Sequence, residues 1–264
     1  MLQKVNLKTI STTLIITVGA VILSGCSDTT ITGDGTLTNK AYPVKAYSCL
    51  EVSGNFTTSW MPSGQAKLSI STDKNLLDYI EVTNENNCLV IKPKENYTLK
   101  SSQNPVTITT SSKLLNQVRF SGASTYNLKN LNSKSLKIHQ SGTSNGSIDG
   151  KVDFLSVNMS GASIMNSTNL TSQNISLYIS GASIISLDGK TKLLSINTSG
   201  SSIFDGLNLT SQSVRILASG SSNNKVYTTT TLDVSSSGSA EVYYKGNPQI
   251  TSHTSGSSRL TSVG

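Results

Sequence analysis

Asp149 and Asp188 occupy the same local sequence, Ile148-Asp149-Gly150-Lys151 and Leu187-Asp188-Gly189-Lys190. Paired carboxylates are the minimum equipment of a glycosidase. A retaining enzyme needs two about 5 Å apart, and an inverting one sets them further apart. The interval of 39 residues between these two spans two turns of a repeat, roughly 9.6 Å if the turns stack as β-strands do. The intervening turn offers Asn169 and no acid. Asp-Gly-Lys is also the composition of a tight turn with a solvated charge pair, and turn chemistry favours that reading. Asp153, Asp205 and Asp233 fall at unrelated offsets. His139 and His253 share a position in the repeat but lie six turns apart, too far to serve one metal or one triad. No serine sits in a nucleophile elbow, and no glycine-rich phosphate loop or calcium-binding nonapeptide is present. Tyr126, Tyr178, Tyr227, Tyr243, Tyr244 and Trp60 are candidate stacking surfaces for sugars, set against ordinary aromatics of a β face. No catalytic, cofactor or metal site is expected.

What positions these residues is a Ser-Gly step. Gly122, Gly142, Gly161, Gly181, Gly200, Gly220, Gly238 and Gly256 each follow a serine, at intervals of 18 to 20 residues. A period near twenty kept over eight copies marks a solenoid. Six and four residues before the glycines stand Leu136/Ile138, Leu155/Val157, Ile175/Leu177, Leu194/Ile196, Val214/Ile216 and Leu232/Val234. Alternation puts each pair on one inward face. One such coil buries too little to offset the ordering of its backbone, so the coils must stack. The pattern predicts an all-β, right-handed, single-stranded parallel β-helix of about 20-residue coils. Glycine takes the corner because it tolerates the sharp bend; its serines remain candidates for an exposed ladder. Asp-Gly-Lys turns alternate with Asn130-Leu131, Asn169-Leu170 and Asn208-Leu209, so unlike coils form 39-residue pairs. Leucine-rich repeats have a similar period, but their Leu and Asn spacing is absent, and a hairpin-built sandwich would not need so fixed a period.

Four segments are expected. In residues 1–25, Lys4 and Lys8 precede the apolar run 14–23, the pattern of an export signal. Leu23-Ser24-Gly25-Cys26 resembles the lipobox of bacterial lipoproteins, which implies cleavage before Cys26 and lipid attachment to it. Ser27 in place of Asp implies the outer membrane. Residues 26–40 read as a flexible tether. Residues 41–117 read as strands with longer excursions and one helical hint, 73–79, where Asp73 is placed to cap. Residues 118–264 hold the regular coils and a C-terminal cap, with Ser252 at an aliphatic position. Cys49 and Cys88 each precede an apolar strand core; export makes a disulfide one reading, and two small buried thiols the other.

Leu50-Glu51-Val52-Ser53-Gly54-Asn55-Phe56, Leu76-Leu77-Asp78-Tyr79-Ile80 and Cys88-Leu89-Val90-Ile91-Lys92-Pro93, with the Ser-Gly-Ala-Ser coils, resemble the GIN-domain family over about residues 46–260. That family is the head domain of putative auto-transporter adhesins. The resemblance implies the β-helix and an adhesin-like role.

Charge narrows the partners. The chain carries +7 with 13% charged and 5% aromatic residues, and the basic and aromatic clusters of nucleic-acid binding are absent. The expectation is a lipid-anchored envelope protein with a non-enzymatic binding or scaffold role, taking glycan, peptidoglycan or another envelope protein on a polar face. The alternative is a polysaccharide lyase or hydrolase. Self-association through open strand edges is a further expectation.

Overall fold

The computed structural model describes residues 28–264; the signal segment and Cys26 lie outside them. The body is the expected right-handed parallel β-helix, of about seven turns. Its core is two aliphatic columns in register: Leu136, Leu155, Ile175, Leu194, Val214 and Leu232, and beside them Ile138, Val157, Leu177, Ile196, Ile216 and Val234. All twelve are buried. Long strands such as Thr125–Gln140 and Ile164–Ile179 pass around one corner without a break in pairing partner, at the cost of a register shift there. The two coil types meet at this corner. Asn130 and Asn169 take φ of 53° and 51° in one type, and Gly150 and Gly189 take 115° and 135° in the other.

The Ser-Gly corner is a column of its own. Its glycines have φ near +70°, and a Cβ on Gly161 would come 2.5 Å from the carbonyl oxygen of Gly142. Glycine is therefore required by stacking as well as by the bend. The second serine of each step does not form an exposed ladder: Ser124, Ser144, Ser163, Ser183 and Ser202 are fully buried. The hydroxyls of Ser144 and Ser163 donate to the carbonyls of Ser141 and Ser160, at 2.9 and 2.8 Å. Those two serines close their own corners, whereas the Ser183 hydroxyl donates to the Gly161 carbonyl of the neighbouring coil.

The N-terminal part begins the same stack. Cys49–Ser53 pairs in parallel with the coil above (Gln117–Ser121) and with Cys88–Pro93 below; Phe56–Pro62 pairs with Val106–Ser112. Antiparallel strands then cover the edges: Lys67–Asp73 on Val106–Ser112, Leu37–Tyr42 on Lys67–Asp73, and Ile80–Glu85 on Cys88–Pro93. An open parallel edge would present unpaired backbone groups, and these strands occupy them.

Two expectations change here. Residues 29–40 are not a tether: Thr29–Thr32 pairs with Tyr97–Lys100, and Leu37–Tyr42 joins the main sheet. Threonine-rich segments of low apolar content still have β-propensity, and the waiting edge supplies their hydrogen bonds. Lys74–Tyr79 is a 3-10 helix burying Leu76 and Leu77, but Asp73 does not cap it. Its carboxylate accepts instead from the Ser102 N–H and hydroxyl, each at 2.8 Å, and from Asn104 Nδ2 at 2.7 Å. Those bonds, led by the Ser102 amide, hold its pKa below the usual carboxylate value despite the opposing desolvation.

Candidate binding groove

Local geometry makes a trough beside the glycine column. Two residues before each glycine the side chain points into the core, as with Phe120, Gln140, Met159 and Ile179. The residues on either side of it point outward. The Ser-Gly bend then turns the chain away, so the outward residues at minus three and the serines at minus one form two walls. The first wall runs Glu51, Arg119, His139, Asn158, Tyr178, Asn197, Leu217, Ser235 and His253, each in register with the next. One concavity of about 720 Å³ extends from Val90 and Lys92 to Ser199. Another, of about 410 Å³, continues from Asn197 to Ser255. Asn197 belongs to both, so together they make one groove along the stack. Nine rungs at the β spacing span roughly 40 Å.

The groove changes character along its length. At the N-terminal end Arg119 Nη1 donates to Glu51 Oε1 at 2.6 Å, and Lys92 stands 3.6 Å from Glu81. His139 follows; partial burial, then the charges of Arg119 and Lys137, lower its pKa against the opposing pull of Glu51. In the middle Tyr178 is 52% exposed, with Asn158 one rung below and Asn197 one rung above. An aromatic face flanked by amides, opposite Ser160, Ser180 and Ser199, suits a polar chain of ring-shaped units. The disulfide Cys49–Cys88 joins neighbouring rungs beneath the ionic end, with Cα atoms 4.3 Å apart. Cys49, Glu51 and Cys88 are the grouping of metal-ligating types among the described residues, but disulfide sulfurs are not the thiolates a metal takes.

The other sequence candidates disperse. Asp149 lies at the opposite corner and accepts the backbone N–H of Asn130 at 2.5 Å. Asp188 stands in register with Asn208, two coils from Asp149. Asp153 pairs with Lys151 at 3.8 Å, Asp233 with Arg215 at 3.7 Å, and Asp205 accepts from the Leu207 N–H. His139 and His253 lie in the one groove, six coils apart. Trp60 and Tyr126 are withdrawn as exposed contacts. Trp60 is 1% exposed and donates its indole N–H to Ser112. Tyr126 stacks on Phe120 with ring centroids 3.9 Å apart and donates to Gln140; burial drives its pKa upward. Its ring also covers Gly146, where a Cβ would collide with it. Tyr227 sits under Lys245, and the Tyr243 hydroxyl meets Glu241. Of the aromatic candidates, Tyr178 is the one in the groove. Arg119 and Glu51 were not singled out from sequence, although their offset of three from Gly122 and Gly54 is the groove-lining offset.

Solved structures share this architecture. The chain is similar to a putative lipid binding protein from Parabacteroides distasonis, with 25% identity, a TM-score of 0.84, and coverage of 89% of this chain and 100% of that one. A putative adhesin from Parabacteroides merdae matches at 19% identity and TM-score 0.82, over 90% of this chain and 100% of that one. A putative adhesin from Bacteroides fragilis matches at 21% and 0.62, over 88% and 98%. No curated protein matches. The family described as putative auto-transporter adhesin, head GIN domain, matches residues 46–248. The chain belongs to that family.

Proposed function

We propose that the protein is a non-enzymatic, adhesin-like binding protein of the cell envelope, and that its groove holds an extended glycan strand. The single observation carrying this is the continuous groove with Tyr178 centred between Asn158 and Asn197. Aromatic faces bury the apolar face of a pyranose, while amides and hydroxyls satisfy its polar rim. The adhesin and lipid-binding names of the relatives agree on binding rather than turnover. Glu51 is the carboxylate among the groove-lining residues, and it is committed to Arg119. A glycosidase would need a second carboxylate facing it, which weighs against a hydrolase; a lyase needs only a base and a neutralising cation, and Glu51 with Arg119 and Lys92 at the ionic end keeps that alternative for the assay. The lipobox resemblance supports export and anchoring through Cys26 at the outer membrane.

The test is retention of the purified full chain on immobilised envelope glycans, including peptidoglycan. Binding lost in Tyr178→Ala but kept in the exposed control Phe154→Ala supports the groove. Absence of retention across the panel removes the reading. Release of reducing ends or unsaturated sugars from any retained glycan would restore the enzymatic alternative.

A further inference from the structure

A second concavity lies where the antiparallel cover meets the body, away from the groove. It encloses about 750 Å³, and its walls include Tyr42, Pro43, Val44, Met61, Pro62 and Leu68. Tyr42 stands opposite Leu68 in the antiparallel pair Leu37–Tyr42 and Lys67–Asp73. Met61 comes from the strand Phe56–Pro62. Pro43 and Pro62 offer no N–H to extend a ladder, so both strands stop at the cavity. Met61 is 52% exposed there, a large apolar side chain left open to water. Cavities of this size and apolar character are typical of small-ligand sites.

The rim is cationic. Lys67 lines the cavity, and the register with Ser111 puts it on the same outward face of the sheet as Met61. Its ammonium forms no ion pair among the described residues. An apolar hollow beside an unpaired ammonium group complements a molecule with a hydrocarbon chain and a single anionic head.

We propose that this cavity binds a long-chain carboxylate as a monomer, its chain against Met61, Pro43 and Val44 and its head group at Lys67. A bilayer would meet a convex apolar surface, whereas this one is recessed. The chain's single tryptophan, Trp60, adjoins Met61, so energy transfer from Trp60 to cis-parinaric acid reads occupancy. The full chain is used with Cys26→Ser, so that no lipid of its own competes. Saturable transfer is expected below the concentration at which the probe aggregates. Met61→Asp, which places a carboxylate against the chain, should weaken it at least about tenfold; Val44→Asp is the second variant should Met61→Asp lose the wild-type circular dichroism. Lys67→Gln should weaken the acid but not the alcohol of the same chain, and Tyr178→Ala should change neither. The proposal is overturned by absence of saturable transfer, by transfer indifferent to both cavity variants, by equal behaviour of acid and alcohol in the lysine variant, or by binding seen only with phosphatidylglycerol vesicles.

Discussion

The two parts of the body solve the same problem by different means. The six coils with corners at Gly142 to Gly238 repeat one solution: two inward aliphatics, an outward residue, a serine, a glycine, and a buried serine, replaced by Ala240 in the last. Each rung depends on its neighbours, so the specification is shared out. The part before residue 118 has no such redundancy. It must start the stack and cover its edge, and does so with unique contacts: the Cys49–Cys88 bridge, the buried Asp73 with its three donors, and the Trp60–Ser112 hydrogen bond. A repeat tolerates local damage because stability is summed over neighbours. A cover built once does not.

Reducing the disulfide, or Cys49→Ser with Cys88→Ser, should break the contrast most severely. Closing a loop of separation 39 is worth about 4 kcal/mol in the chain-entropy account. Hydrogen exchange should show the opening concentrated before residue 118, and uniform loss of protection along the coils would contradict the division. Gly161→Ala sets a positive φ and a collision with the Gly142 carbonyl against one rung. The expected cost is about 3 kcal/mol, measured by urea unfolding, with exchange rising in the adjacent coils while the cover stays protected.

Asp73→Asn should lower Tm by less than Gly161→Ala, and its effect should depend on pH. The folded carboxyl has a lowered pKa, so the unfolded chain binds the proton first as pH falls. The stabilisation is complete above the ordinary aspartate value, about 3.9, and is lost as pH drops through the lowered folded value. Wild type and variant should therefore converge in acid. Divergence that persists there would mean that the hydrogen bonds, not the charge, carry the difference. Tyr178→Ala should change stability least, since the side chain is half exposed, and should act on binding alone.

The same contrast governs what could be read from the sequence. The coils were legible because each residue type recurs at a fixed offset: Leu155 and Val157 announce the core as plainly as Leu194 and Ile196. The cover was not, because Thr29–Thr32 and Leu37–Tyr42 are held by an edge formed 26 or more residues away, and nothing local distinguishes them from a polar linker. Tyr126 looked like Tyr178, yet Gly146 beneath it makes room for its ring. That glycine was the available signal. The groove lay at a fixed offset from every glycine, but a column of unlike residues (Glu51, Arg119, His139, Asn158) becomes a surface only when the rungs stack.

Binding along the groove as one continuous surface is tested most directly by ligand length. Oligosaccharides of increasing length, prepared from whichever glycan the full chain retains, would be titrated against wild type and Tyr178→Ala by calorimetry. Affinity should climb with each added unit until the chain outgrows the groove, roughly 40 Å at the rung spacing, and Tyr178→Ala should lower affinity for every chain long enough to cross the middle rungs. Affinity that is flat with length, or untouched by Tyr178→Ala, would contradict it.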